Sequence, residues 1–518
     1  RALCVCGMTP KMLIAQLAQP GSPSRFRAWH RLLFGLIAIG LALSACQPAP
    51  QAAPLQQISP TETPALVETP TAVATPLPER PKYSPGELVD YIAQSGDILP
   101  ALAVRFNTTV GEILAANTFI PADATTMPPG MPMKIPIYYQ PFWGSQYQIL
   151  PDSLFINGPA GIGFDTAAFL TEQPGWLNGY REYAFGGTRS TAQIVDYVAL
   201  QFSLSPRLLL ALLEYQAGGL TQPVKPANLG SYVLGNDDYR YRGVYLQLVW
   251  AANLLNDSYY RYRAGSLVEF EHLGGRIERI DPWQNAATAS LQYYFSRLQD
   301  GEAYLRAIAH DGLAQSYRNA FGDPWIAQSP HLPGSLAQPE MRLPFEPGLA
   351  WAYTGGPHTA YGTAQPFAAL DFAPASISGG CTPSEEWVTA VAPGVVVRSE
   401  TGTVVLDLDG DGDERTGWTI FYFHIGTTGR APVGTVLQTG DPLGYPSCEG
   451  GRTTGTHVHI ARKYNGEWIL AEGILAFNLE GWIAHSGSQA YQGTLTRGGR
   501  TVIASENAAS SSFIESGK

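Results

Sequence analysis

Charge is scarce in this chain. Only 14% of its 518 residues are Asp, Glu, Lys or Arg, against about 25% in an ordinary soluble protein. The 32 basic residues are outnumbered by 43 acidic ones, giving a net charge of −11. There is no basic stripe, so nucleic acid is not an expected partner. Long apolar runs are also scarce. The run at residues 32–43 is short for a membrane-spanning helix. Cysteine is limited to Cys4, Cys6, Cys46, Cys381 and Cys448. Glycine (55) and proline (41) are plentiful, which favours β-structure, turns and linkers over long helices.

The apolar run follows Arg25, Arg27 and Arg31 and ends in Leu-Ser-Ala-Cys, the layout of an export signal. That ending resembles the lipobox of bacterial lipoproteins. The resemblance implies a lipid on Cys46, and hence an exported protein anchored to a membrane at the cell surface or envelope. An uncleaved anchor or an ordinary secretory signal remains the alternative. The chain opens with Arg, and Met8 or Met12 could be the true start. Export permits disulfides. Once residues 1–46 are set aside, Cys381 and Cys448 can form one intramolecular bond or stay as two thiols.

Residues 47–82 contain nine prolines and few large apolar groups, so they read as an extended stalk. Residues 83–138 read as strand, turn, helix, turn, helix, loop, strand. Gly96-Asp97, Leu102, Ala103, Phe106, Thr109-Val110, Ile113, Asn117 and Pro129-Gly130 resemble the LysM module. That resemblance implies a βααβ fold that binds N-acetylglucosamine chains such as peptidoglycan. Ile98 stands where that family usually has Thr.

Residues 139–340 show amphipathic helical periodicity in IVDYVALQF, SPRLLLALLEYQAG, GVYLQLVWAANLLNDSYYRYR and NAATASLQYYFSRL. The second segment is loosely similar to the catalytic helix of lysozyme-like transglycosylases. Gln216 stands where a catalytic Glu would follow, and Glu214 projects about 200° away on a helix. The expectation is a mainly α-helical domain of unknown role, with a lapsed lysozyme-like, glycan-cleaving fold as one reading.

Residues 341–492 alternate apolar and polar residues between Gly, Pro and Asp turns, as an antiparallel β domain does. Residues 493–518 are small and polar and are expected to be a disordered tail. The β domain holds HVH, in which His457 and His459 share one face of a strand. His358, His424 and Asp371 lie in the same domain. A catalytic zinc needs three protein ligands, and further groups must move protons and steady negative charge.

Three ordered blocks, GGPHTAYG…AALDF, FYFHIG and CEGGRTTGTHVHIARKYNG, look like the lysostaphin-type zinc endopeptidases that cut peptidoglycan cross-bridges. The β-lytic metalloendopeptidase branch is the nearest. The resemblance implies His358, Asp371 and His459 as zinc ligands and His424 and His457 as catalytic histidines. It also suggests Tyr491 as a group holding the oxyanion. Many lysostaphin-type enzymes have His four residues before the Asp, where this chain has Phe367; His358 instead precedes Asp371 by thirteen, as in the β-lytic branch.

Residues 407–414, DLDGDGDE, suit either a calcium ligand set or a plain turn. Trp418 stands where an EF-hand loop needs Glu, which favours the turn. The sequence thus implies a multidomain α+β protein with a LysM module, a helical middle and an antiparallel β metallopeptidase domain. It would hold peptidoglycan glycan through the module and peptide stems at a Zn2+ site. The alternative is a non-catalytic wall-binding or hydrolase-activating lipoprotein.

Overall fold

The computed structural model describes residues 80–377 and 379–517. The export signal, Cys46 and nearly all of the stalk lie outside the described residues. Among those described, no helix is long and apolar enough to cross a membrane.

Residues 87–137 form the small module in the expected order: β1 (Glu87–Ile92), α1 (Leu99–Arg105), α2 (Val110–Ala116) and β2 (Pro132–Ile137). β1 and β2 pair antiparallel. The motif residues have visible work. Gly96 takes φ +78°, which a side chain would disfavour. Asp97 is buried; its carboxylate accepts from Tyr91 Oη at 2.6 Å, Gln94 N at 2.7 Å and Arg105 Nη1 at 2.9 Å. Thr109 and Glu112 cap α2 reciprocally. Asn117 bridges helix to strand, donating to Ile113 O and Lys134 O at 2.7 Å each.

The middle of the chain is built on α3 (Thr191–Phe202), α4 (Pro206–Ala217), α5 (Val244–Arg263) and α6 (Ala286–Ser296). Ser190 and Gln193 form a capping box that starts α3, and Pro206 opens α4 where its missing N–H is harmless. Two short hairpins, 181–190 and 269–279, accompany these helices. Glu214 is committed to the fold, accepting from Leu220 N at 2.7 Å and Thr221 Oγ1 at 2.6 Å. Gln216 is likewise held, by Tyr294 Oη at 2.7 Å and Leu234 O at 3.0 Å. Neither side chain is a free acid for glycan cleavage.

The β domain centres on a nine-stranded sheet. Its strands include β3 (Ala350–Thr359), β4 (Phe367–Pro374), β5 (Gly394–Glu400), β6 (Gly402–Asp407), β7 (Trp418–Ile425), β8 (Val436–Leu437), β9 (Val458–Tyr464) and β10 (Glu467–Trp468). β11 (Asn478–Leu479), β12 (Trp482–Ser486), β13 (Gly493–Arg497) and β14 (Arg500–Ile503) make a separate four-stranded sheet. β15 (Phe513–Glu515) returns to close the main one. Its order is β8-β5-β6-β7-β9-β4-β3-β15, with β10 paired to β9. The last strands correct the expectation of a disordered tail at 493–518. Leu495 and Ile514 are buried in the sheet's own core, and that burial holds a segment whose composition looks like tail.

Both faces of the central strands are covered. Leu370, Ile420, Tyr422, Val458 and Ile460 point into the domain's own core. Val405, Phe421, Ala461 and Ala369 form a cross-strand row on the other face and pack with the helical domain. Truncating Phe421 to Ala should cost about 3–5 kcal/mol. The next row on that second face, Thr403, Phe423, His459 and Asp371, leads into the candidate site.

Candidate metal centre and active site

His459 and Asp371 sit directly opposite each other on β9 and β4. His358 reaches them through an irregularity in β3. Gly355 faces Asp371 and His358 faces Ala369, so β3 spends one residue more than β4 over that interval. Such a bulge re-aims a side chain. It requires the two glycines before Pro357. A Cβ on Gly355 would lie 2.5 Å from Asp371 Oδ2, and one on Gly356 would lie 2.4 Å from Gln492 O.

Three atoms converge. His358 Nε2 lies 3.0 Å from His459 Nδ1 and 3.3 Å from Asp371 Oδ1. His459 Nδ1 lies 3.2 Å from that same oxygen. The other ring nitrogens fix the tautomers. His358 Nδ1–H donates to Gly356 O at 2.8 Å, and His459 Nε2–H donates to Ala360 O at 3.0 Å. In the neutral rings both facing nitrogens then carry lone pairs. Asp371 Oδ1 is buried without a hydrogen-bond donor. Three lone pairs at this spacing repel unless a cation lies between them. Bonds of about 2.1 Å at tetrahedral angles put donor atoms about 3.4 Å apart, so the set fits zinc. The carbonyls behind the imidazoles supply the outer-shell support such ligands need.

Two more histidines line this centre. His424 Nδ1–H donates to Glu449 O at 2.9 Å, and His457 Nδ1–H donates to Gly455 O at 2.8 Å. Each therefore keeps Nε2 for a substrate. His457 Nε2 lies 3.8 Å from Asp371 Oδ1, and the His424 and His457 rings are 4.6 Å apart. Burial, then the neighbouring His457 and His459, push His424 down to about 3, so it stays neutral near pH 7. Tyr491 stacks on His358 with ring centroids 4.1 Å apart. Burial, then Asp371, raise its phenol, so the Oη keeps its proton as a donor. His424 and Tyr491 take φ of 61° and 69°, a strained backbone that non-glycine residues seldom adopt.

Cys381 and Cys448 are joined, with Cα atoms 5.7 Å apart. The bond fastens the loop after β4 to the approach of β9, where Thr456 N also donates to Gly380 O at 2.9 Å. The structure thus brings together His358, Asp371, His424, His457, His459 and Tyr491. Phe367 lies at the start of β4, paired with Thr359, and contributes no metal-binding atom. Sequence reasoning missed the carbonyl partners and Asn253 of α5. Asn253 Oδ1 accepts from Thr363 N at 2.7 Å and holds the loop carrying Ala360. The glycine pair in GGPH was the one available signal for the bulge.

In residues 407–414 the carboxylates of Asp407, Asp409 and Asp411 come within 4.8 Å of one another. Asp407 accepts from Gly412 N at 2.9 Å, Asp411 accepts from Asp413 N at 2.9 Å, and Glu414 is bound to Arg398 at 2.7 Å. These contacts are turn chemistry.

Residues 91–136 match the family model of the LysM domain, and residues 148–333 match that of the LasA N-terminal domain. Protease LasA of Pseudomonas aeruginosa is 25% identical over 342 residues, which is 62% of this chain and 75% of that protein. Beta-lytic metalloendopeptidase of Lysobacter enzymogenes is 27% identical over 140 residues, covering 26% of this chain and 74% of that protein. A solved structure described as the M23 metalloprotease Pseudoalterin, from the deep sea, is 27% identical. It covers 32% of this chain and 96% of its own, with a TM-score of 0.28. The chain therefore carries a LysM domain and, at the level of family, homology to LasA and the beta-lytic metallopeptidases.

Proposed function

We propose that this chain is an exported zinc endopeptidase that hydrolyses peptide bonds in peptidoglycan, with His358, Asp371 and His459 holding the metal. The observation that carries the reading is the meeting of three lone pairs within 3.0–3.3 Å, two of them on imidazoles whose tautomers are fixed by carbonyls. Zinc in such a site polarises a carbonyl and activates water.

The chain's own residues supply the rest. His424 and His457 present unengaged Nε2 atoms on one side of the centre. One can take a proton from the attacking water while the other, once protonated, donates to the leaving amine. The Tyr491 phenol donates toward the oxygen on which negative charge develops. The LysM domain supports a peptidoglycan substrate. The Leu-Ser-Ala-Cys ending supports a lipid on Cys46 and anchorage at the envelope.

The test is digestion of purified sacculi by the full chain, with the fragments weighed by mass spectrometry. The reading expects new amino and carboxyl ends in the peptide stems or bridges, abolished by a chelator and restored by zinc. Sugar scission, or lysis that persists in full after chelation, overturns it. No lysis from a zinc-loaded chain favours the non-catalytic alternative.

A further inference from the structure

His424 and His457 sit where the main sheet opens. β7 and β9 pair as far as Phe423 and His459 and then part. Residues 445–449 enter the gap. Pro446 bridges to Ile425 on one side, and Ser447 bridges to His457 on the other. This strap therefore lies between the strand end that carries His424 and the strand start that carries His457.

Ser447 serves both histidines. Its N and Oγ donate to His424 O at 2.7 and 3.0 Å, and its own carbonyl accepts from His457 N at 3.5 Å. These bonds hold His424 at φ 61°, a conformation that persists in a non-glycine residue only where its surroundings enforce it.

Glu449 holds His424 twice. Its carbonyl accepts from the ring Nδ1–H at 2.9 Å. Its carboxylate accepts from Thr427 N at 2.8 Å and Thr427 Oγ1 at 2.6 Å, with Arg430 Nη1 3.8 Å away. Thr427 follows His424 by three residues, so one side chain and one carbonyl grip the backbone and the ring of a short segment. Glu449 N donates to Ser447 Oγ at 3.0 Å, which links the two holders. Cys448, between them, is bonded to Cys381. Gly450 leaves the strap at φ +88°, and a Cβ there would lie 2.7 Å from Phe423 Cε2.

The ring needs a holder for a chemical reason. A neutral imidazole has one lone pair, and the partner of one nitrogen decides which nitrogen keeps it. With Glu449 O accepting from Nδ1–H, the lone pair stays on Nε2. If that carbonyl moves, the proton can pass to Nε2 and the lone pair is lost to the substrate.

We infer that Ser447 and Glu449 are positioning residues, which fix the tautomer and aim of His424 and its spacing from His457, with the grip of Glu449 on Thr427 as the fastening. The effect on rate rests on the peptidase reading above. The hold on the ring is a property of the chain alone.

The test compares the full chain with Glu449→Ala, Glu449→Gln, Ser447→Ala and Ser447→Thr. Initial rates on dye-labelled sacculi give kcat and KM. Nitrogen NMR of the chain isotope-labelled at histidine reports which nitrogen of His424 carries the proton, and His424→Gln identifies the signal. Glu449→Ala should lower kcat at least about tenfold with KM within about twofold, and Ser447→Ala should lower kcat about three- to tenfold. Glu449→Gln can still accept from Thr427 N and should keep most of the activity, as should Ser447→Thr, which keeps the hydroxyl. His424 should hold its proton on Nδ1 in the unaltered chain and divide it between both nitrogens in Glu449→Ala. Zinc content should stay level, and rates are read well below each variant's melting temperature, which separates this outcome from loss of metal or fold. Unchanged kcat in both alanine variants, or a His424 proton that stays on Nδ1 in both, overturns the inference. A chain that cleaves sacculi equally in every variant refutes the positioning alone. A chain that never cleaves, yet loses the Nδ1–H form in Glu449→Ala, refutes the peptidase reading and upholds the grip on the ring.

Discussion

Asn253 Oδ1 accepts hydrogen bonds from both Thr363 N and Thr363 Oγ1, at 2.7 and 3.0 Å, and so ties a helix of the middle domain to the loop beside the metal centre. Three residues earlier on that loop, Ala360 O receives the Nε2–H that fixes the His459 tautomer. Asn253 is thus one link from the helical domain to the candidate ligands, beside Tyr197, whose Oη lies 3.3 Å from Tyr361 Oη on the same loop. Asn253→Ala removes about 0.5–1.5 kcal/mol of hydrogen bonding. It should weaken zinc retention about two- to tenfold in a chelator competition, with the helical signal in circular dichroism unchanged.

Tyr491→Phe keeps the ring on His358 and removes only the donor. Zinc content should stay at the unaltered level. The turnover number should fall about 100-fold if the phenol steadies the developing oxyanion. Measuring kcat separately from KM decides it, because a merely structural ring tolerates the loss of its oxygen.

Glu467 gives a pH prediction. It is buried with Arg263 at 3.2 Å and His331 at 2.6 Å, which joins the β domain to the helical domain. Burial works against its ionisation, yet Arg263 and then His331 outweigh it and hold the carboxyl below its ordinary value. A carboxylate depressed in the folded state contributes stability that is complete above its unfolded pKa of about 4.3 and is lost as pH falls through the folded value. Denaturant melts should show stability falling below about pH 5, and falling less in Glu467→Gln. At neutral pH that variant should be destabilised by about 3 kcal/mol, because Arg263 loses a buried partner and keeps Asp152.

Removing the cross-link between Cys381 and Cys448, 67 residues apart, should lower stability by about 2–4 kcal/mol. Because the bond fastens a loop to the approach of β9, the double Cys→Ser variant should also lose activity well below its melting temperature. Parallel melts and rate measurements check both.

The sequence carried much of the site because its parts obey local rules. His457 and His459 share a strand face by periodicity alone, and Asp97, Thr109 and Asn117 do local work within a short module. His358 was placed through family resemblance, since its approach depends on a bulge that only the pairing of β3 with β4 reveals. Strand composition could not show that Phe421 and Ala461 lie under a helical layer, because that cover comes from residues far away in the chain. For the same reason 493–518 read as tail: Leu495 and Ile514 have little local apolar company and are held by distant partners. Glu214 resembled a displaced catalytic acid, and its engagement by Leu220 and Thr221 became visible only in three dimensions.

The most direct test is zinc analysis of the purified full chain and two variants by mass spectrometry of the metal. The account expects about one zinc per chain, lost in His358→Ala and retained in Phe367→Ala. A chain that holds no zinc under metal-replete conditions, or a His358→Ala variant that keeps its full complement, contradicts it.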